Sequence, residues 1–141
     1  MNAPPRPVTE GSPKALSLGL WSAQGLLAAF LVGGGLWKLA APVDQVAEAF
    51  AWAGELPGLL RLSAVFDLLG GLGVLLPSVT RVRPRLTVLA ALGVVALMGS
   101  AIVFHLARGE GADTGVNGVL AALALFVAWG RHRGAPIAPR G

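Results

Sequence analysis

An all-α fold is predicted for this chain: a four-helix transmembrane bundle with a short interfacial helix between the first and second spans. Three observations carry it. The 141 residues are 55% hydrophobic and only 13% charged. Mean hydropathy is +0.71, more apolar than a water-soluble domain of this size can usefully bury. The apolar residues also gather into runs of about 20, the length that crosses hydrocarbon at about 1.5 Å per helical residue.

Residues 1–14, MNAPPRPVTEGSPK, are proline-rich, polar and aperiodic, so they are expected to form a loose tail. The membrane domain is expected over 15–132, with a second loose tail at 133–141. Its first span, Leu16–Leu39, is longer than the apolar part of a signal peptide and has no small-x-small cleavage pattern, so it is read as retained. The second, third and fourth spans are placed at Gly58–Leu76, Leu86–Ala107 and Thr114–Gly130. The last is short and is expected either to tilt little or to gain a turn at either end. Pro77 and Pro84 are expected to bracket a tight basic turn, because proline does not continue a helix from its interior. In the first connection, PVDQVAEAFAWAGELPG, Val43, Val46, Ala47, Phe50 and Ala51 recur at helical spacing against Asp44, Gln45 and Glu48. That pattern predicts a short amphipathic helix at the membrane surface with Trp52 at headgroup depth, an ordered loop being the alternative.

Charge sets the orientation. Arg6 and Lys14 precede the first span, Arg81, Arg83 and Arg85 separate the second from the third, and Arg131, Arg133 and Arg140 follow the fourth. Asp44, Glu48, Glu55, Glu110 and Asp113 occupy the other two connections. The positive-inside rule then places both termini in the cytoplasm of a bacterial cell, with the chain in its inner membrane and the lipid bilayer as its first partner. The net charge of +4 does not indicate nucleic acid as a partner, since the arginines sit between apolar runs and not on a face shared with exposed aromatics. The absence of cysteine removes disulfides, thiolate metal sites and thiol redox chemistry.

Rare polar residues within the spans mark the candidate site. Asp67 stands inside RLSAVFDLLGGLGVLLP, where a carboxylate facing lipid would cost about 2.5–3.5 kcal/mol. It lies on one stripe with Ser63, Gly70 and Gly71, while Gln24, Ala28, Leu31, Gly34, Gly35 and Lys38 share a stripe of the first span, and Asn117, Ala121, Ala124 and Ala128 one of the fourth. Small residues mark the sides on which membrane helices approach closely, so Asp67 is expected to point into the bundle. Conversion of residue number to height puts Lys38, Arg61, His105, Arg108 and Asn117 near one boundary, with Asp67 about 9 Å below Arg61. A pocket floored by Asp67 and rimmed by cations follows, with Asp67, Lys38, His105, Arg61, Asn117 and Gln24 as candidate ligand-binding residues.

Each has a plainer reading. Lys38 and Arg61 reach headgroups by snorkelling, His105 complements a helix dipole, Asn117 caps or glues, and Gln24 forms one interhelical hydrogen bond. Asp67 and Arg61 are six apart and face different ways, so a structural ion pair would fall to Lys38. No metal-ligand set emerges, and one histidine with one buried carboxylate is not a self-sufficient catalytic set.

The segments Q24GLLAAFLVGGGLWKLA40, D67LLGGLGVLLP77, M98GSAIVFHLARGE110 and the closing FVAWGR131 together resemble the DoxX family of small bacterial membrane proteins, in order and spacing from about Leu18 to Arg131. The resemblance implies a compact bundle of four membrane helices, with glutamate common in the family where Asp67 stands here. Some members are associated with thiosulfate-to-quinone electron transfer and others with oxidative-stress or catechol detoxification. A quinone is therefore the cofactor the resemblance brings into question. Lacking a haem-ligand pair, cysteine and a nucleotide loop, the chain would serve an oxidoreductase only through a partner subunit, a soluble oxidoreductase or a bound quinone. Three functions compete: a binding or accessory subunit for a quinone-like amphiphile, a small proton-coupled transporter working through Asp67, and a membrane scaffold that docks a soluble enzyme. The glutamate-bearing first span of small four-span multidrug exporters is missing between Leu16 and Leu39.

Overall fold

The computed structural model describes residues 2–3 and 11–141. Of the tail expected at 1–14, residues 1 and 4–10 lie outside that set, and helix α1 already begins at Gly11. The helices are α1 (Gly11–Ala40), α2 (Val43–Ala49), α3 (Ala51–Glu55), α4 (Pro57–Thr80), α5 (Arg85–Ala107) and α6 (Gly115–Trp129). A 3₁₀ turn at Gly111–Thr114 leads into α6 and a π-helical turn at Gly130–Gly134 follows it. With these turns the fourth span runs 24 residues, Gly111–Gly134, so the short apolar run is lengthened at both ends. Four helices are thus long and apolar enough to cross a membrane.

Their outward faces match that solvent. Leu18, Leu69, Leu89, Val103 and Val119 are all more than three-fifths exposed, which in water would be a large uncovered apolar surface and in lipid is an ordinary one. The interior is narrow and filled by small residues and leucines: Ala23, Leu27 and Leu31 of α1 meet Val74, Ala91, Val94, Met98, Leu120 and Ala124. Around the ring α1 neighbours α4 and α6, and α5 neighbours the same two. Close approach depends on glycine on the α1–α4 seam, where a Cβ at Gly35 would lie 2.9 Å from the Ala64 carbonyl oxygen and one at Gly71 2.8 Å from Val32.

One end of the bundle, the basic end, gathers the start of α1, the α4–α5 turn and the C-terminal residues. The other, acidic end carries α2, α3 and the α5–α6 connection.

One expectation is corrected. Pro77 does not end its helix: α4 runs through it to Thr80, and Arg81, with φ 59°, makes the left-handed stop. Proline removes one donor from the ladder, but the last turn is secured from outside it, by Gln24 Nε2 donating to the Val74 carbonyl and the Ser78 hydroxyl. The basic turn is therefore Arg81–Pro84. Trp52, in the segment expected at the membrane surface, is turned inward and only 8% exposed. The predicted amphipathic helix is present as two short pieces broken at Phe50, whose backbone is extended (φ −134°, ψ 93°). The break lets Phe50 pack edge-on against Trp37 and swings Trp52 and Ala53 onto Val46 and Leu60, with Phe104 alongside.

Candidate functional site

Two polar clusters lie inside the bundle, one toward each end. Toward the acidic end, Lys38 Nζ donates to Asp67 Oδ2 at 2.7 Å. Asp67 is buried by the close α1–α4 seam, and Lys38 arrives from the last turn of α1. The pairing that the helix spacing favours is made. Arg61 lies elsewhere: its Nη1 donates to the Lys38 and Leu39 carbonyls, so it caps the C-terminus of α1 and stays outside the cavity lining.

His105 ends α5, buried, with Nδ1 2.9 Å from Glu110 Oε2. An ionised carboxylate only accepts, so Nδ1 carries the proton and donates. Arg108 donates to Glu110 through Nε at 3.0 Å and to Glu55 through Nη2 at 2.9 Å, tying the α5–α6 connection to α3. The His105 and Arg108 hydrogen bonds hold the Glu110 carboxyl below its usual range. The Glu55 and Glu110 carboxylates raise Arg108 further above its own. Trp52 stands edge-on to Phe104 and His105 with ring centroids 5.5 and 6.5 Å away, and its indole N–H has no partner among the described residues.

A depressed carboxyl stabilises the fold above its unfolded pKa of about 4.5, and that contribution disappears as pH falls through the lower folded value. Emission from Trp52, taken as the difference from Trp52→Phe, is expected to shift as the medium is acidified below that range. Glu110→Gln should already show the shifted emission at neutral pH. Emission unchanged throughout acidification would contradict this reading.

Lys38, Asp67, His105 and Asn117 all line one cavity of about 1230 Å³ between the four spans. Its remaining walls are mostly apolar, among them Phe30, Leu31, Trp37, Met98, Phe104 and Leu120. Lysine has three donors and spends one on Asp67, while the Asn117 amide and His105 Nε2 make no hydrogen bond among the described residues. Such a chamber offers donors to carbonyl or hydroxyl oxygens at one end and an apolar lining for a ring or chain. By contrast, a groove of about 280 Å³ between Phe66, Leu69, Ala90 and Leu97 has no polar side chain on it. His105, Glu110 and Asp113 each bring one potential metal-ligand atom within 4.8 Å of the others. Both Glu110 oxygens are already engaged, so the arrangement is an ion network as it stands.

Gln24 is not part of this chamber. It is wholly buried toward the basic end, where its Oε1 accepts from Arg131 Nε at 2.7 Å while its Nε2 serves the Val74 carbonyl and Ser78. Ser78 shares a 2.8 Å hydrogen bond with Thr87. Arg131 also donates to the Ala135 carbonyl and stacks over Trp21 at 4.8 Å, leaving only Nη2 unpaired. One residue from each span therefore meets in a single cross-brace. Sequence reasoning placed Arg131 among topology-setting surface arginines and passed over Ser78 and Thr87. The signal that could have found them is Gln24, a polar side chain at mid-helix that must be satisfied by its neighbours.

A helical multi-pass membrane protein with an internal chamber headed by a lysine–aspartate pair is the class that fold and site define. Residues 22–127 match the DoxX-like family, and the chain belongs to it. No curated protein and no solved structure gives a match.

Proposed function

We propose that the chain is a small-molecule-binding or accessory subunit of a membrane redox or stress-detoxification system, holding a quinone-like or similar amphiphile in the chamber while a partner performs the chemistry. The observation that supports this most is the chamber itself: a large apolar cavity with Lys38, Asp67, His105 and Asn117 at one end. A quinone fits those residues. Lys38 and Asn117 offer N–H donors to its oxygens, Trp37 and Phe104 offer ring faces, and Asp67 holds the lysine in place. A quinone bound there would supply electron-carrying capacity, and the chain's own side chains bind and orient it. The basic end, with Lys14, Arg81, Arg83, Arg85, Arg133 and Arg140, is the cytoplasmic one in this reading, in a bacterial inner membrane.

Mass spectrometry of the protein purified in mild detergent is expected to find a copurified quinone or related amphiphile, lost from the Lys38→Met/Asp67→Leu double variant. Proton-coupled uptake in vesicles that vanishes in Asp67→Asn would replace this reading with a transporter. Absence of both would leave a scaffold.

A further inference from the structure

The chamber has a sideways opening. Helices α1 and α6 run antiparallel and pack tightly at the basic end, where a Cβ at Gly19 would touch the Phe126 ring at 3.7 Å. There Leu20 fills the space beside Gly130, and Leu16 that beside Gly134. The register set by those contacts brings Phe30 level with Val119. At that height the seam is not closed. Leu26 and Phe30 on α1, and Val116 and Val119 on α6, line the chamber and are 65%, 55%, 54% and 62% exposed, too much for side chains shut inside a closed seam. A Cβ on Gly34 or Gly115, both on the chamber wall, would meet nothing within 4 Å.

Polarity is sorted along the same axis. Lys38, Asp67, His105 and Asn117 sit toward the acidic end, whereas the deeper wall is Leu26, Leu31, Leu97 and Leu123. From Lys38 to Leu26 is about 18 Å along α1. A volume of about 1230 Å³ exceeds the roughly 300–1,000 Å³ usual for compact ligands, and most of its lining is apolar.

Resting on the binding function proposed above, we infer that the occupant is a chain-bearing amphiphile taken up sideways from the bilayer. Its polar head lies by Lys38, Asp67 and His105, and its alkyl or isoprenoid tail lies in the α1–α6 seam between Phe30 and Val119. The basic end is the hinge of this seam, because the Gln24–Arg131 bond and the Leu20–Gly130 contact hold it shut there.

The chain has no cysteine, so Phe30→Cys/Val119→Cys supplies only two thiols, which a short bifunctional maleimide can bridge. The probe is decylbenzoquinone added to vesicles that contain the protein, with the amount bound followed by native mass spectrometry. Bridging before addition is expected to slow loading at least tenfold relative to the same variant capped with N-ethylmaleimide, which carries the same two substitutions without the bridge. Equal loading of bridged and capped protein would overturn sideways uptake and leave the binding function standing. Failure of the unmodified chain to take up decylbenzoquinone at all would remove the binding function, and this inference with it.

Discussion

Lys38→Met is expected to destabilise the protein by about 3 kcal/mol, read as a lowered unfolding midpoint in detergent or in denaturant titration, because it strands the Asp67 carboxylate in an apolar interior. The 2.7 Å pair is buried on the aspartate side and only 19% exposed on the lysine side chain. Attraction within such a pair offsets a desolvation cost of comparable size, so removing both partners is far milder than removing one. Lys38→Met/Asp67→Leu should therefore recover most of the loss. If the double variant were as unstable as Lys38→Met, the pair would not be the source of the effect.

Gly35→Ala should cost about 1–3 kcal/mol, the usual range for overpacking a tight contact. The added methyl would meet the Ala64 carbonyl oxygen at 2.9 Å and Leu68 Cγ at 3.0 Å. Backbone cannot step aside as a side chain can, so trimming the neighbour with Leu68→Ala should fail to restore stability. The displacement would also separate α1 from α4 one turn from the Lys38–Asp67 bond, and ligand binding should weaken along with stability. Gly93→Ala is the matched control. A Cβ there meets nothing within 4 Å, and the change should be neutral or stabilising by up to about 1 kcal/mol through helix propensity. Equal losses at positions 35 and 93 would refute the packing argument.

The spans were legible because each is a local property: an apolar run of sufficient length fixes a helix whatever its neighbours do. The Lys38–Asp67 pair was legible too, since only a side chain from another span at similar height can reach a carboxylate that faces inward. Proline at 77 misled because the rule for its helix-breaking effect counts only the ladder, and here a glutamine from α1 secures the turn that the proline weakens. The inward turn of Trp52 was not legible because a single extended residue, Phe50, changes the phase of everything after it. Arg131 was the hardest. Its burial continues the inward stripe of Ala124, Val127 and Ala128 by one turn, and Gly130, whose missing side chain leaves room for Leu20, lets α1 approach there. Its place among the terminal arginines hid that continuation, because charge there argues for topology before packing.

The cross-brace joins the two spans that stand farthest apart in the chain. Gln24 belongs to the first of the four spans, and the guanidinium that donates to its amide oxygen stands 107 residues later in the chain. Without the fourth span that buried acceptor, toward the basic end, would stand unanswered, so the fourth helix does more than add a wall. It latches the bundle, because the one arginine reaches, through Gln24 and Ser78, to a residue of every other span.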